Sequence, residues 1–176
     1  MTPADEQVAS PQTHVTRLPL AFATVGGVGY VPFAPGTFGS AAGLLVWWLL
    51  GPSALVQAVA IVVIFGIGVW SGSVCERHFC RTDPGHVVID EVVGMLMTLF
   101  LLPVGWYGAL GGFFLFRLAD VIKPFPANRF EELHGGLGVM ADDAMAGFYA
   151  NLALRVCIWL SGHLGIWSMS FNWPIQ

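Results

Sequence analysis

The stretch Asp83-Pro84-Gly85-His86-Val87-Val88-Ile89-Asp90-Glu91-Val92-Val93-Gly94 sets two adjacent carboxylates, Asp90 and Glu91, at the head of an apolar run that continues to Leu102. A carboxylate held in hydrocarbon costs on the order of 2.5–3.5 kcal/mol on insertion scales, so acids in such a setting are usually paired or functional. The surrounding chain is hydrocarbon-like. Of its 176 residues 56% are hydrophobic and 10% charged, against about 25% charged in an ordinary soluble domain, and its mean hydropathy is +0.72. The reading is an all-α, multi-pass helical membrane protein of one domain, built from short hairpins.

Working outward, no charged residue occurs from Phe38 to Cys75, where the run is broken at Gly51-Pro52-Ser53. Two apolar helices joined by a tight turn fit, the first short for a crossing, which needs roughly 20 residues. The spacing predicts a polar loop from Glu76 to His86, a helix over Val87–Leu102, a turn at Pro103-Val104-Gly105 and a return helix over Trp106–Ile122. A last helix is expected from about Val139 to Leu160, giving four or five crossings. Before Phe38 the chain is dense in glycine and proline, so Pro35-Gly36-Thr37-Phe38-Gly39-Ser40 reads as a loop entering a helix near Phe38. Amides and the hydroxyls of Thr37 and Ser40 at a helix start attract anions, although a plain turn entering a membrane helix accounts for the same residues.

The boundaries that follow are a disordered polar tail over 1–17, a single helical membrane domain over 18–161 and an interfacial apolar tail over 162–176. The tail over 1–17 lacks the basic start and short apolar core of a cleaved signal. Trp159, Trp167 and Trp173 favour a membrane interface. Arg17, Arg77, Arg81, Lys123 and Arg129 flank one set of helix ends and the two turns carry no basic residue, so the polar islands gather on one side, which the positive-inside tendency makes cytoplasmic. The net charge of −4 without a basic run argues against nucleic acid as a partner. Cys75, Cys80 and Cys157 form no disulfide framework.

The polar islands hold five acids: Asp90, Glu91, Asp120, Asp142 and Asp143. Acids in a first helical turn also complement the helix dipole, but here each adjacent pair is followed by a glycine, Gly94 or Gly147, that permits close helix contact. Arg117, Asp120 and Lys123 stand three apart along one helix edge. They form either an internal salt bridge or a phosphate-facing stripe, with Arg117 forking onto phosphoryl oxygens, Lys123 adding a point charge and Asp120 binding metal. Several carboxylates beside a dianionic phosphate repel it unless a hard cation stands between them, and oxygen ligands without a matching His or Cys cluster point to Mg2+.

Four motifs now stand in order: Pro35-Gly36-Thr37-x-Gly39-Ser40; Asp83-Pro84-Gly85-x-Val87-Val88-x-Asp90-Glu91-x-x-Gly94; Phe116-Arg117-x-x-Asp120-x-x-Lys123-Pro124-x-Pro126; and Gly135-Gly136-x-Gly138-x-Met140-x-Asp142-Asp143-x-x-Ala146-Gly147. Together they resemble the bacterial phosphatidylglycerophosphatase A family over roughly Leu18 to Arg155. The resemblance implies a multi-pass inner-membrane, Mg2+-dependent enzyme that removes the terminal phosphate of an anionic phospholipid, phosphatidylglycerophosphate, among membrane lipids. On that footing Glu91, Asp142 and Asp143 are the first metal ligands, and Asp90 or Asp120 is a further ligand or the base. Arg117 and Lys123 stabilise the phosphoryl oxygens, and Thr37, Gly39 and Ser40 hold the remainder of the headgroup.

Four other readings carry less. Cys75-x5-Arg81 has the bare spacing of thiolate phosphatases but no glycines for a phosphate loop, and Cys75, His78, Cys80 and His86 match no standard zinc spacing. A small cation or proton transporter would also use intramembrane carboxylates, but near the midplane on broken helices. The longer Asp-rich signature of metal-dependent alcohol phosphotransferases is missing.

Overall fold

In the computed structural model, which describes residues 17–79, 85–123, 125, 130 and 135–163, the described residues are helical with no strand. In chain order they form α1 (Arg17–Ala23), a 3-10 turn (Val28–Tyr30), α2 (Pro35–Leu50), α3 (Ala54–Phe79), α4 (Ile89–Leu99), α5 (Trp106–Ile122) and α6 (Gly136–His163). The expected all-α membrane class holds. α3 and α6 are long and apolar enough to cross a bilayer, and only 17% and 22% of their most apolar windows are buried. Core helices of a soluble protein would be mostly buried, so these two offer their apolar faces to lipid.

The helix at the centre is the shortest of the long segments. α4 has nine of its 11 residues buried, Asp90 among them, and it packs against α2, α3, α5 and α6. At about 1.5 Å per residue it rises roughly 16 Å, half the hydrocarbon thickness of about 30 Å. It ends at Leu99, three residues before the predicted Leu102, because Phe100 turns extended and Leu101 adopts φ +55°. Asn151 on α6 takes over the released carbonyls: its Nδ2 donates to Met97, Thr98 and Phe100 at 3.2, 2.9 and 2.9 Å. Arg155 adds bonds to the Phe100 and Leu101 carbonyls, both 3.3 Å. A cation therefore also stands beside the Pro103 turn, an end that the count of flanking basic residues left bare.

Other boundaries move for local reasons. α2 starts at Pro35 and not near Phe38, since Ala34 caps it in the left-handed region (φ 48°) and proline suits the first helical position. α3 runs on to Phe79 through part of the predicted polar loop, and Cys80 to Pro84 lie outside the described residues. α6 begins at Gly136 instead of Val139, because Gly136 lies against α3: a Cβ there would sit 2.3 Å from the Val69 carbonyl oxygen, and its amide donates to Ser73 Oγ at 2.9 Å. That contact overrides glycine's weak helix propensity. α5 has the predicted ends. Arg17, one residue before the expected 18, is already helical, and α6 extends two past 161. The rest of the N-terminal tail, and the apolar tail beyond His163, lie outside the described residues.

Gly94 and Gly147 are the point where α4 and α6 meet, as their placement after the acid pairs predicts. A Cβ on Gly147 would come 2.3 Å from the Gly94 oxygen, and one on Gly94 would come 2.4 Å from the Phe116 ring and 2.9 Å from the Asp143 oxygen. Likewise α2 lays Gly39 on Val88, the residue before α4, and Gly43 on Val92 and Met95 of α4. These contacts bring four polar helix ends to one end of the bundle.

Candidate active site

A cavity of about 530 Å³ opens where the N-terminal ends of α2, α4 and α6 meet the C-terminal end of α5. It is lined by Asp90 and Glu91 of α4, Arg117, Asp120 and Lys123 of α5 and its cap, and Asp142 and Asp143 of α6, with Ala34–Gly36 along one edge. All five predicted acids and both predicted cations therefore share one space, although they span more than fifty positions of sequence. Asp90, Asp142 and Asp143 are 6%, 4% and 5% exposed, so their charges must be met by something other than bulk water.

The acids sort by partner. Carboxylate oxygens of Asp90, Glu91 and Asp143 all lie within 4.8 Å of one another. Asp90 Oδ1 accepts the Glu91 amide at 3.0 Å. Glu91 Oε2, Asp143 Oδ2 and Asp142 Oδ1 are buried with no hydrogen-bond partner. Asp120 and Asp142 each meet a cation closely: Asp120 Oδ2 accepts from Arg117 Nη1 at 2.8 Å, and Asp142 pairs through its other oxygen, Oδ2, with Lys123 Nζ. The internal salt bridge that the Arg117/Asp120 spacing allowed is thus formed. Lys123 leaves the stripe, because at the end of α5 it takes φ 46° and reaches α6. Asp142 and Asp143 also lie in the second turn of α6 and do not open it, since the helix starts earlier than predicted.

Arg117 is held from three sides. Besides Asp120, its Nη1 donates to Ser40 Oγ at 3.4 Å and approaches Glu91 Oε1 at 4.0 Å. Ser40 is fully buried and donates to the Gly36 oxygen at 2.8 Å. Gly36 has no room for a side chain, since a Cβ would sit 2.2 Å from Glu91 Oε1 and just over 3 Å from both Arg117 terminal nitrogens. The predicted headgroup residues Thr37, Gly39 and Ser40 do not line the cavity. Gly39 is used in packing α2 on α4, Ser40 reaches the cavity only through Arg117, and the amides of Thr37 and Phe38 are taken by the Ala34 carbonyl. What lies at that edge is Gly36, and the loss of all side-chain volume at the head of an acid-facing helix was its signal in the sequence.

Burial raises the Glu91 carboxyl to about 7; the Asp90 side chain opposes this, the Asp143 charge adds to it, Arg117 opposes it and Asp120 adds to it. α4 is too short to span, so this group sits at the polar end of the bundle. A divalent cation would reverse the balance by favouring the ionised form. The donor set suits such an ion. Asp90, Glu91 and Asp143 would supply only hard carboxylate oxygens, the ligand type that Mg2+ takes.

The cysteine alternative loses its footing. Cys75 is buried among Ala23, Val87, Ile89, Val93 and Met140 and is absent from the cavity walls. Cys75 and Cys157 are both free thiols. His86 stacks on Phe79 and tilts against Tyr30, a packing role in keeping with the lack of any catalytic assignment.

The profile of the family described as Phosphatidylglycerophosphatase A matches residues 21–158. A putative phosphatidylinositol-3-phosphatase from Bacteroides thetaiotaomicron is 37% identical over 155 residues, 82% of this chain and 96% of the relative. Phosphatidylglycerophosphatase A of Escherichia coli K12 is 38% identical over 125 residues, 69% of this chain and 72% of the relative. The protein of the same name from Haemophilus influenzae is 35% identical over 143 residues, 77% and 86% of the two chains. No solved structure matches. With a cavity of acids and cations at a membrane bundle's polar end and a family match that covers every motif in it, this chain is a phosphatase and belongs to the Phosphatidylglycerophosphatase A family.

Proposed function

We propose that the protein hydrolyses the terminal phosphomonoester of phosphatidylglycerophosphate, giving phosphatidylglycerol and inorganic phosphate for phospholipid synthesis, and that it does so with Mg2+. The observation that carries this reading is the composition of the cavity: among the described residues five carboxylates face two cations, and three buried carboxylate oxygens have no hydrogen-bond partner. A dianionic phosphate cannot enter such a field unless positive charge is added. Asp90, Glu91 and Asp143 would hold the ion, which when bound polarises the phosphoryl group and acidifies a water. Arg117 and Lys123 meet the phosphoryl oxygens, where charge is spread in the transition state. A carboxylate of the set takes the water's proton as the new P–O bond forms, and the ester P–O bond breaks with its electrons on the leaving glycerol oxygen, to which that carboxyl returns the proton.

The cavity sits at the polar end of lipid-facing helices, which suits a headgroup presented from the membrane plane. With most basic residues at that end, the reading is a multi-pass protein of the bacterial inner membrane with the site on the cytoplasmic side. The test is phosphate release by purified protein in mixed micelles, with Mg2+ or with a chelator. Release from phosphatidylglycerophosphate that vanishes on chelation is expected. Phosphatidylinositol 3-phosphate belongs in the same assay, because one relative carries that name; faster turnover of it would redirect the substrate assignment. Ion flux in liposomes without phosphatase activity would favour a transporter.

A further inference from the structure

Adjacent acids are easily read as equivalent, but the two cations of the cavity divide them. We infer that the five carboxylates do two jobs: Asp90, Glu91 and Asp143 form the cation site, whereas Asp120 and Asp142 are positioning residues that aim Arg117 and Lys123 at the phosphate. The inference rests on the phosphatase reading for its substrate, though not for its partition of the acids.

Three observations separate the groups. The first is spatial: the set of acids that can close on one ion is Asp90, Glu91 and Asp143 and includes neither Asp120 nor Asp142. The second is partner chemistry. Glu91, Asp142 and Asp143 each keep one buried oxygen without a hydrogen-bond partner, but Asp120 and Asp142 each pair closely with a cation, whereas Arg117 comes only within 4.0 Å of Glu91. The third is the path of the backbone at Lys123. A helical continuation would have kept the lysine on the Arg117/Asp120 edge. Instead the chain enters the left-handed region at a residue other than glycine, with its amide closed onto the Ala119 oxygen at 2.8 Å, a conformation that L side chains rarely adopt. The gain is a lysine delivered across to Asp142 on the neighbouring helix, at the cavity wall. Asp142 itself, 4% exposed, is compensated by that ammonium.

The consequence is that both cations are preorganised before substrate arrives. A bidentate arginine or a lysine loses rotamer freedom when it grips a phosphate, and a fixed carboxylate behind it removes most of that loss in advance. Substitutions in the two groups should then affect different quantities. Asp143→Asn and Glu91→Gln should weaken binding of Mn2+, used as the spectroscopic probe by electron paramagnetic resonance, by tenfold or more. Asp142→Asn and Asp120→Asn should leave Mn2+ affinity within about threefold, yet raise KM for the lipid phosphate, and the inhibition constant for inorganic phosphate, about tenfold. Asp142→Glu should recover most of the KM. Lys123→Gln should raise the same two constants at least as far as Asp142→Asn, with the double variant no worse than Lys123→Gln alone, since Asp142 acts through the lysine.

Mn2+ binding weakened by Asp142→Asn as strongly as by Asp143→Asn overturns the partition, as do additive losses at Asp142 and Lys123. Should Asp142→Asn not fold, Asp142→Glu and Lys123→Gln carry the same comparison. If the wild-type protein binds Mn2+ but hydrolyses no phospholipid monoester, the phosphatase reading falls, while the Mn2+ and phosphate affinities still decide the division of the acids.

Discussion

Gly147→Ala tests the packing on which the site depends. The added methyl would sit 2.3 Å from the Gly94 carbonyl oxygen on α4, where carbon and oxygen normally approach no closer than about 3.3 Å, so α4 and α6 must separate by about 1 Å. Backbone lies on the far side of that contact, and no rotamer change relieves it. Overpacking of this kind costs up to about 3 kcal/mol, and alanine returns about 1 kcal/mol in helix propensity, leaving a loss of about 2 kcal/mol. The larger effect is on chemistry. Asp143 lies one turn before Gly147 on α6 and Glu91 lies three residues before Gly94 on α4, so the carboxylates that meet across this seam move apart by a similar distance. A misplacement of about 1 Å at reacting groups costs on the order of 100-fold in rate. Phosphate release and the thermal midpoint in detergent measure the two effects, with Gly66→Ala as the control, since nothing lies within 4 Å of its Cβ position. The control should be as active as wild type and no less stable. If Gly147→Ala retains activity within threefold of wild type, the seam does not set the ligand spacing and the reasoning is wrong.

Gly36→Ala should separate fold from function in the opposite proportion: its Cβ meets only side-chain ends, Glu91 Oε1 and the Arg117 guanidinium, so the thermal midpoint should hardly move while Mn2+ affinity falls about tenfold. Asn151→Ala removes the donor to three carbonyls at the end of α4 and should cost about 1–3 kcal/mol per buried carbonyl left unsatisfied, read as a lowered midpoint with wild-type Mn2+ affinity in the protein that remains folded. Cys75→Ser should keep phosphatase activity within a few fold, and total loss with normal protein yield would revive a thiolate mechanism.

The sequence carried the fold unevenly, and the pattern of success is physical. α5 is bounded by a Pro103-Val104-Gly105 turn before it and prolines after it, and both ends are where these residues predict. α4 and α6 differ because their ends are decided by partners distant in the chain. Asn151 satisfies carbonyls some fifty positions away, which lets α4 stop early, and the α3 surface makes Gly136 helical against its own propensity. An amide in an apolar helix is itself a flag, since hydrocarbon punishes an unpaired polar group, but its partner cannot be named from spacing. The meeting of the acids was legible from charge placement, whereas their division was not: Asp142 and Asp143 are neighbours in sequence, and only the left-handed turn at Lys123 shows which one a cation claims.

That turn also bears on why so acidic a cavity suits an anionic substrate. Five carboxylates alone would exclude phosphate, and two cations alone would bind it without activating water. With Asp120 and Asp142 paired to Arg117 and Lys123, a divalent ion added at Asp90, Glu91 and Asp143 would offset the negative charge of that group and leave the positive groups turned to the cavity. Affinity for the phosphate then depends on the ion, so chelation should remove substrate binding as well as turnover. Equilibrium binding of inorganic phosphate, or of the lipid to a slow variant such as Glu91→Asp, with and without Mg2+ distinguishes this from a purely chemical role for the metal. Equal binding in both conditions would mean that Arg117 and Lys123 suffice to hold the anion, and that the electrostatic argument for a cation at the triad is incorrect.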